Sequence, residues 1–72
     1  MSDGGAVAVT VNGEARDLPA GATLGDLLRE LDVPVEGVAV AVNLEVVPRG
    51  LIARRSLRNG DRVELVRAVG GG

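Results

Sequence analysis

Side chains able to start chemistry are few in this 72-residue chain: four hydroxyls, Ser2, Thr10, Thr23 and Ser56, with no Cys, no His, and Arg at all eight basic positions. No His or Lys stands beside those hydroxyls to activate them, and without Lys there is no Schiff base to form. The missing Cys and His also remove disulfides, thiolate nucleophiles and most zinc sites. Asp26, Glu30 and Asp32 form a metal cluster only on paper, because Asp26 and Glu30 stand i and i+4 on a polar helix face, where carboxylates read as solvated surface. Catalysis by the chain's own side chains is not expected, nor is a bound metal or cofactor.

One reactive group remains, the α-carboxylate after Gly70-Gly71-Gly72. Glycine supplies 11 of 72 residues, and even at that share two terminal glycines arise by chance with a probability of roughly 2% and three with about 0.4%. On composition alone a frayed end or a leftover linker is still the plainer reading. The chemical reading starts from a backbone without Cβ atoms, which threads a narrow channel, and from Ala68 to Gly72 such a segment reaches about 17 Å. The carboxylate at its tip is ionised at neutral pH and is an unhindered oxygen nucleophile towards a phosphoryl centre. It becomes an acyl donor only when its oxygen is made a leaving group, as in an acyl-adenylate, from which sulfur or nitrogen displaces AMP.

Such a tip needs a scaffold. Residues 1–6 read as a mobile leader, 7–68 as the folded unit and 69–72 as a flexible Gly-rich tail. Val7 to Val11 alternates as a strand and runs into Asn12-Gly13, a dipeptide suited to a type I′ hairpin, with a weaker strand from Glu14 to Leu18. Thr23 caps a helix of eight to ten residues whose Leu24, Leu27, Leu28 and Leu31 form one apolar stripe, with Asp26 in the first turn and Pro34 ending the element. Val38 to Val42 alternates again, Val46-Val47-Pro48 reads as an edge strand, and residues 50–57 connect, with room for one helical turn. Asn59-Gly60-Asp61 turns the chain into a last strand, Arg62 to Ala68.

One stripe covers one face of one sheet, so two layers follow, with Val7, Val9, Val11, Val38, Val40, Val42, Val63 and Leu65 meeting the helix leucines. The core is aliphatic because Phe, Trp and Tyr are absent. The order strand, strand, helix, strand, strand, strand is that of an α+β β-grasp, a mixed sheet of about five strands with one main helix on one face. Its other face would carry Ala8, Thr10, Ala39, Ala41, Val66 and Ala68, a bare surface that suits docking of a partner protein or is simply the solvated side of an antiparallel sheet. Net charge is −2, and no aromatic residue is present to stack on a base, so nucleic acid is not an expected partner. Arg54, Arg55 and Arg58 read as solvated charges. No apolar run approaches the ~20 residues of a membrane span, and the N-terminus lacks the stretches of a signal peptide, which points to the cytoplasm.

Three segments in order, Val38-Ala39-Val40-Ala41-Val42-Asn43, Val46-Val47-Pro48-Arg49 and Asn59 through Arg67-Ala68-Val69-Gly70-Gly71-Gly72, resemble the ThiS family of bacterial thiamine-biosynthesis sulfur carriers. The resemblance covers about Val7 to Gly72, and it implies the same β-grasp, in its ubiquitin-like form. It departs from the family where Gly50, Leu51 and Ile52 follow the Pro-Arg pair in place of a bulky aromatic. It implies that a ThiF-type adenylyltransferase uses ATP on the Gly72 carboxylate, and that persulfide sulfur converts it to a thiocarboxylate. The thiazole synthase ThiG would then accept it, with Gly70 and Gly71 as the slender approach. Partner contacts would fall on Val66, Ala68, Val69, Ala39 and Ala41, and the protein would be a monomer alone and a heterocomplex with its enzymes. Asn43 and Arg49 lie in the resembling segments and could serve turn geometry alone. The small subunit of molybdopterin synthase, another sulfur carrier or ubiquitin-like modifier, and a non-reacting β-grasp module are the alternatives.

Overall fold

The computed structural model describes residues 5–67, so Ala68, Val69, Gly70, Gly71 and Gly72 lie outside the described residues, as do residues 1–4. Strand β1 (Ala6–Val11) begins one residue inside the stretch assigned to the leader. Asn12 and Gly13 follow with φ of 50° and 88°, both positive as a type I′ turn requires, and return the chain as β2 (Glu14–Pro19). The six-residue ladder from Ala6↔Pro19 to Val11↔Glu14 needs that two-residue loop.

Helix α1 (Leu24–Glu30) starts at a capping box: the Thr23 hydroxyl accepts from the Asp26 N–H, and the Asp26 carboxylate accepts from the Thr23 N–H. Asp26 thus does more than face the helix dipole. The helix has seven residues, fewer than the leucine spacing suggested, and Pro34 does not end it. Asp32 takes a left-handed conformation (φ 60°), its N–H donates to the Arg29 carbonyl and that of Val33 to the Leu28 carbonyl, which closes the last turn before the proline is reached. So short a helix is unstable alone and depends on burying its stripe. Leu24, Leu27 and Leu28 are fully covered, and Leu31 packs at the margin.

A 3₁₀ turn (Val35–Gly37) leads into β3 (Val38–Val42), and another two-residue turn, Asn43-Leu44, leads into β4 (Glu45–Val46). The edge strand therefore begins one residue earlier than expected, and Pro48 stands outside it as the N-terminal cap of α2 (Arg49–Ile52). After Asn59-Gly60 comes β5 (Arg62–Arg67). Among the described residues the sheet has five strands in the order β2-β1-β5-β3-β4, with β1 and β5 parallel and the other pairs antiparallel. This is the mixed sheet of a β-grasp.

The core contains Val9, Val11, Val38, Val40, Val42 and Val63 from the sheet, with Leu18, Val47, Ile52 and Leu57 closing its rim, while Val7 and Leu65 are half-buried against it. Residues 22–24 also run antiparallel to residues 55–57: the Leu24 N–H donates to Arg55 O at 2.8 Å and the Leu57 N–H to Ala22 O at 3.0 Å. Gly25 permits this approach, because a Cβ there would lie 2.9 Å from the Ala53 carbonyl oxygen, a backbone atom that cannot step aside.

Candidate functional site

Strand β5 leads to the terminal glycines, and it occupies the centre of the sheet, between β1 and β3. Two asparagines hold it from opposite sides. Asn43 fixes its start: the Arg62 N–H donates to Asn43 Oδ1 at 2.9 Å, the Asn43 N–H donates to Arg62 O at 2.8 Å, and Asn43 Nδ2 donates to Asp61 Oδ1 at 3.0 Å. The second Asp61 oxygen accepts from the Arg58 N–H at 2.8 Å, so this carboxylate, the one buried charged group among the described residues, has a donor at each oxygen. Asn12 grips the strand further along, through both the N–H and the C=O of Leu65. Asn43 is therefore a bracing residue as well as a turn residue. Arg49 reaches back to donate to the Glu36 carbonyl at 3.2 Å and so ties α2 to the 3₁₀ turn.

The sheet face away from α1 is exposed, but it is less uniform than alternation alone implied. Ala39 and Val66 are register partners on the side away from α1, and Val66 is 66% exposed. Ala41 adjoins them, half-buried. Arg62 and Glu64 project from the same face of β5, and on the β1–β2 half Asp17 stands opposite Ala8 among small residues, so charged groups interrupt the face. The apolar half is larger than expected because Val46 pairs with Ala41 and is 76% exposed, and Leu44 in the adjoining turn is 77% exposed. Neither was singled out from the sequence. The signal was present in the two-residue turn, which puts Val46 on the same face as Ala41, but Asn-Leu is not a recognisable type I′ dipeptide. Ala68 and Val69 lie outside the described residues and their contacts are not assigned.

The acidic residues considered for a metal serve other roles. Asp26 closes the capping box and lies 3.8 Å from Arg29, and Glu30 lies 3.7 Å from Arg16, both as exposed pairs of small energetic weight. Among the described residues no helix is long and apolar enough to cross a membrane.

Residues 9–72 match the family model described as the ThiS family. The sulfur carrier protein ThiS of Thermus thermophilus is 44% identical over 64 residues, covering 89% of this chain and 98% of that protein. The thiazole synthase of Paramagnetospirillum magneticum is 42% identical over 64 residues, 89% of this chain, but the chain spans only 20% of that relative's length. Among solved structures, the crystal structure of the thiamine biosynthesis protein (ThiS) from Geobacter metallireducens superposes with a TM-score of 0.77 at 32% identity, covering 92% of this chain and all of that one.

Proposed function

Because the chain belongs to the ThiS family, we propose that it carries sulfur to the thiazole ring of thiamine, as a protein substrate that performs no reaction itself. The observation behind this reading is the reach of the family match, which continues past Arg67 to Gly72 and so takes in the glycines. The likeness to the Thermus ThiS over nearly the whole of that protein supports it. Activation begins when a Gly72 carboxylate oxygen attacks the α-phosphorus of ATP held by a ThiF-type adenylyltransferase, and pyrophosphate leaves. The terminal sulfur of a cysteine-derived persulfide then attacks the acyl carbon and AMP leaves, giving an acyl disulfide. A second thiol attacks the donor's sulfur, the S–S bond breaks, and the electron pair remains on the sulfur bound to the acyl carbon as a thiocarboxylate. In the thiazole synthase that sulfur passes to an acceptor carbon while an oxygen from the acceptor or from water replaces it on the acyl carbon, which returns the carboxylate.

ATP, persulfide and thiol all belong to the partners, so cytoplasmic work in transient heterocomplexes follows. Gly70 and Gly71 give the approach, since only a backbone without side chains enters a closed active site with so little bulk. Docking falls to Ala39, Ala41 and Val66 together with Leu44 and Val46, while Ala68 and Val69 join this patch to the glycines in sequence. The thiazole synthase relatives, each resembling this chain over a fifth of their length, support that enzyme as the second partner.

The test is intact-mass analysis after incubation with adenylyltransferase, ATP and a persulfide donor. The expected product has one sulfur in place of one oxygen, located on Gly72, and deleting Gly71-Gly72 should abolish it while leaving the fold intact. An unchanged mass with an active donor system ends the carrier reading. Turnover of the loaded protein by the large subunit of molybdopterin synthase, and not by thiazole synthase, would reassign the pathway.

A further inference from the structure

Strand β1 stops pairing with β5 earlier than β5 ends. Its parallel ladder covers Thr10↔Arg62 and Val11↔Val63, and the last backbone bond is from the Asn12 N–H to the Val63 carbonyl at 2.9 Å. In a continuing parallel ladder the Asn12 carbonyl would next accept from the Leu65 N–H. The positive φ at Asn12 and Gly13 turns that backbone away into β2 instead. The Asn12 carboxamide takes its place: Oδ1 accepts from the Leu65 N–H at 2.9 Å, and Nδ2 donates to the Leu65 carbonyl at 3.3 Å. A side-chain amide thus imitates the missing peptide, across a sequence separation of 53 residues. On the other side β5 stays paired with β3 as far as Arg67, opposite Val38.

We infer that Asn12 is a positioning residue for the reactive terminus: its amide keeps β5 held from both sides up to Leu65, seven residues before Gly72, and so steadies the strand that leads to the terminus. This inference rests on the carrier reading above. A carboxylate presented at the end of a short lead depends steeply on where that lead is anchored, because effective concentration falls with the length of chain free to move, and a displacement of about 1 Å at a reacting centre can cost as much as ~100-fold in rate. Docking uses other residues, on the open face of β3, β4 and β5, so loss of the amide should spare affinity and lower the rate of the bound complex.

The experiment compares the full-length wild type with Asn12→Gly, which keeps the turn's φ but removes both bonds, and Asn12→Asp, which keeps the oxygen for the Leu65 N–H and loses the donor. Amide exchange is followed at Leu65, with Leu27 in α1 as reference, alongside steady-state pyrophosphate release with the adenylyltransferase. For Asn12→Gly the expected result is exchange at Leu65 accelerated roughly tenfold beyond the change at Leu27, which reports the loss of global stability, with kcat reduced about tenfold and KM within about twofold. Asn12→Asp should regain both Leu65 protection and part of kcat. A purely structural role would lower stability without this kcat-against-KM split. Unchanged exchange at Leu65 overturns the clamp; faster exchange with unchanged kcat, a rise confined to KM, or an Asp variant that regains protection but no rate overturns the positioning role. A wild-type chain that no adenylyltransferase activates removes the carrier reading and the positioning role with it, and the exchange data still separate that outcome from failure of the clamp.

Discussion

Asn12-Gly13 and Asn43-Leu44 are turns of one design put to different uses. Each joins two antiparallel strands with two residues of positive φ, and each points its asparagine amide at β5, Asn43 at the start of the strand and Asn12 near its end. They differ in what lies beneath the amide and in the second residue. Asn43 shares its amide with the carboxylate of Asp61, which is 8% exposed, so the bond involves a charged and poorly hydrated group. Asn12 bonds only a backbone at the exposed margin. Gly13 takes its left-handed conformation without strain, whereas Leu44 does so at φ 72° with a branched side chain that is 77% exposed. Nothing in the packing repays that strain. The two turns thus share the bracing of β5, and Asn43-Leu44 alone adds a strained, exposed apolar side chain beside Val46.

The largest effect that could break the comparison is at Asn43. Replacement by Gly keeps the turn but removes the Arg62 bond and one donor to Asp61, and should cost about 2–3 kcal/mol in urea unfolding. Asn12→Gly, with neutral and exposed partners, should cost about 1 kcal/mol by the same measurement, and a reversal of that order would mean Asp61 is not the reason for the difference. Gly13→Leu imposes at the first turn the strain already present at the second, and should cost about 1–2 kcal/mol; open space around the position leaves the backbone as the only cause. The smallest stability effect is at Leu44, where Gly should stabilise the fold by up to about 1 kcal/mol. The same variant should raise KM with the adenylyltransferase, and a variant that is more stable with unchanged KM would deprive the residue of its proposed role.

Much of this scaffold was legible in short windows of sequence. The alternation of Val7 to Val11 and Val38 to Val42, the Asn-Gly dipeptide and Thr23 before four leucines each report a local preference of three to seven neighbours, and the structure bears them out within a residue or two, whereas Pro48, read as part of an edge strand, caps α2 instead. The helix end was misplaced because proline is an obvious breaker, while Asp32 stops the helix by a left-handed turn that its residue type only permits. Of the exposed sheet face, Ala39, Ala41 and Val66 followed from period two, but Val46 and Leu44 depended on a turn whose second residue disguises it.

The sequence by itself determined the strands, the capped helix and the aliphatic core, because periodicity, capping and composition are properties of near neighbours and of residue content. Only the tertiary structure decided that β1 and β5 run parallel at the centre, that residues 22–24 lie along 55–57, and that two asparagines reach β5 from opposite sides. Those contacts join residues up to 53 positions apart. An amide has no preference for a particular distant peptide until folding has closed the loop between them, so no local pattern could announce its partner.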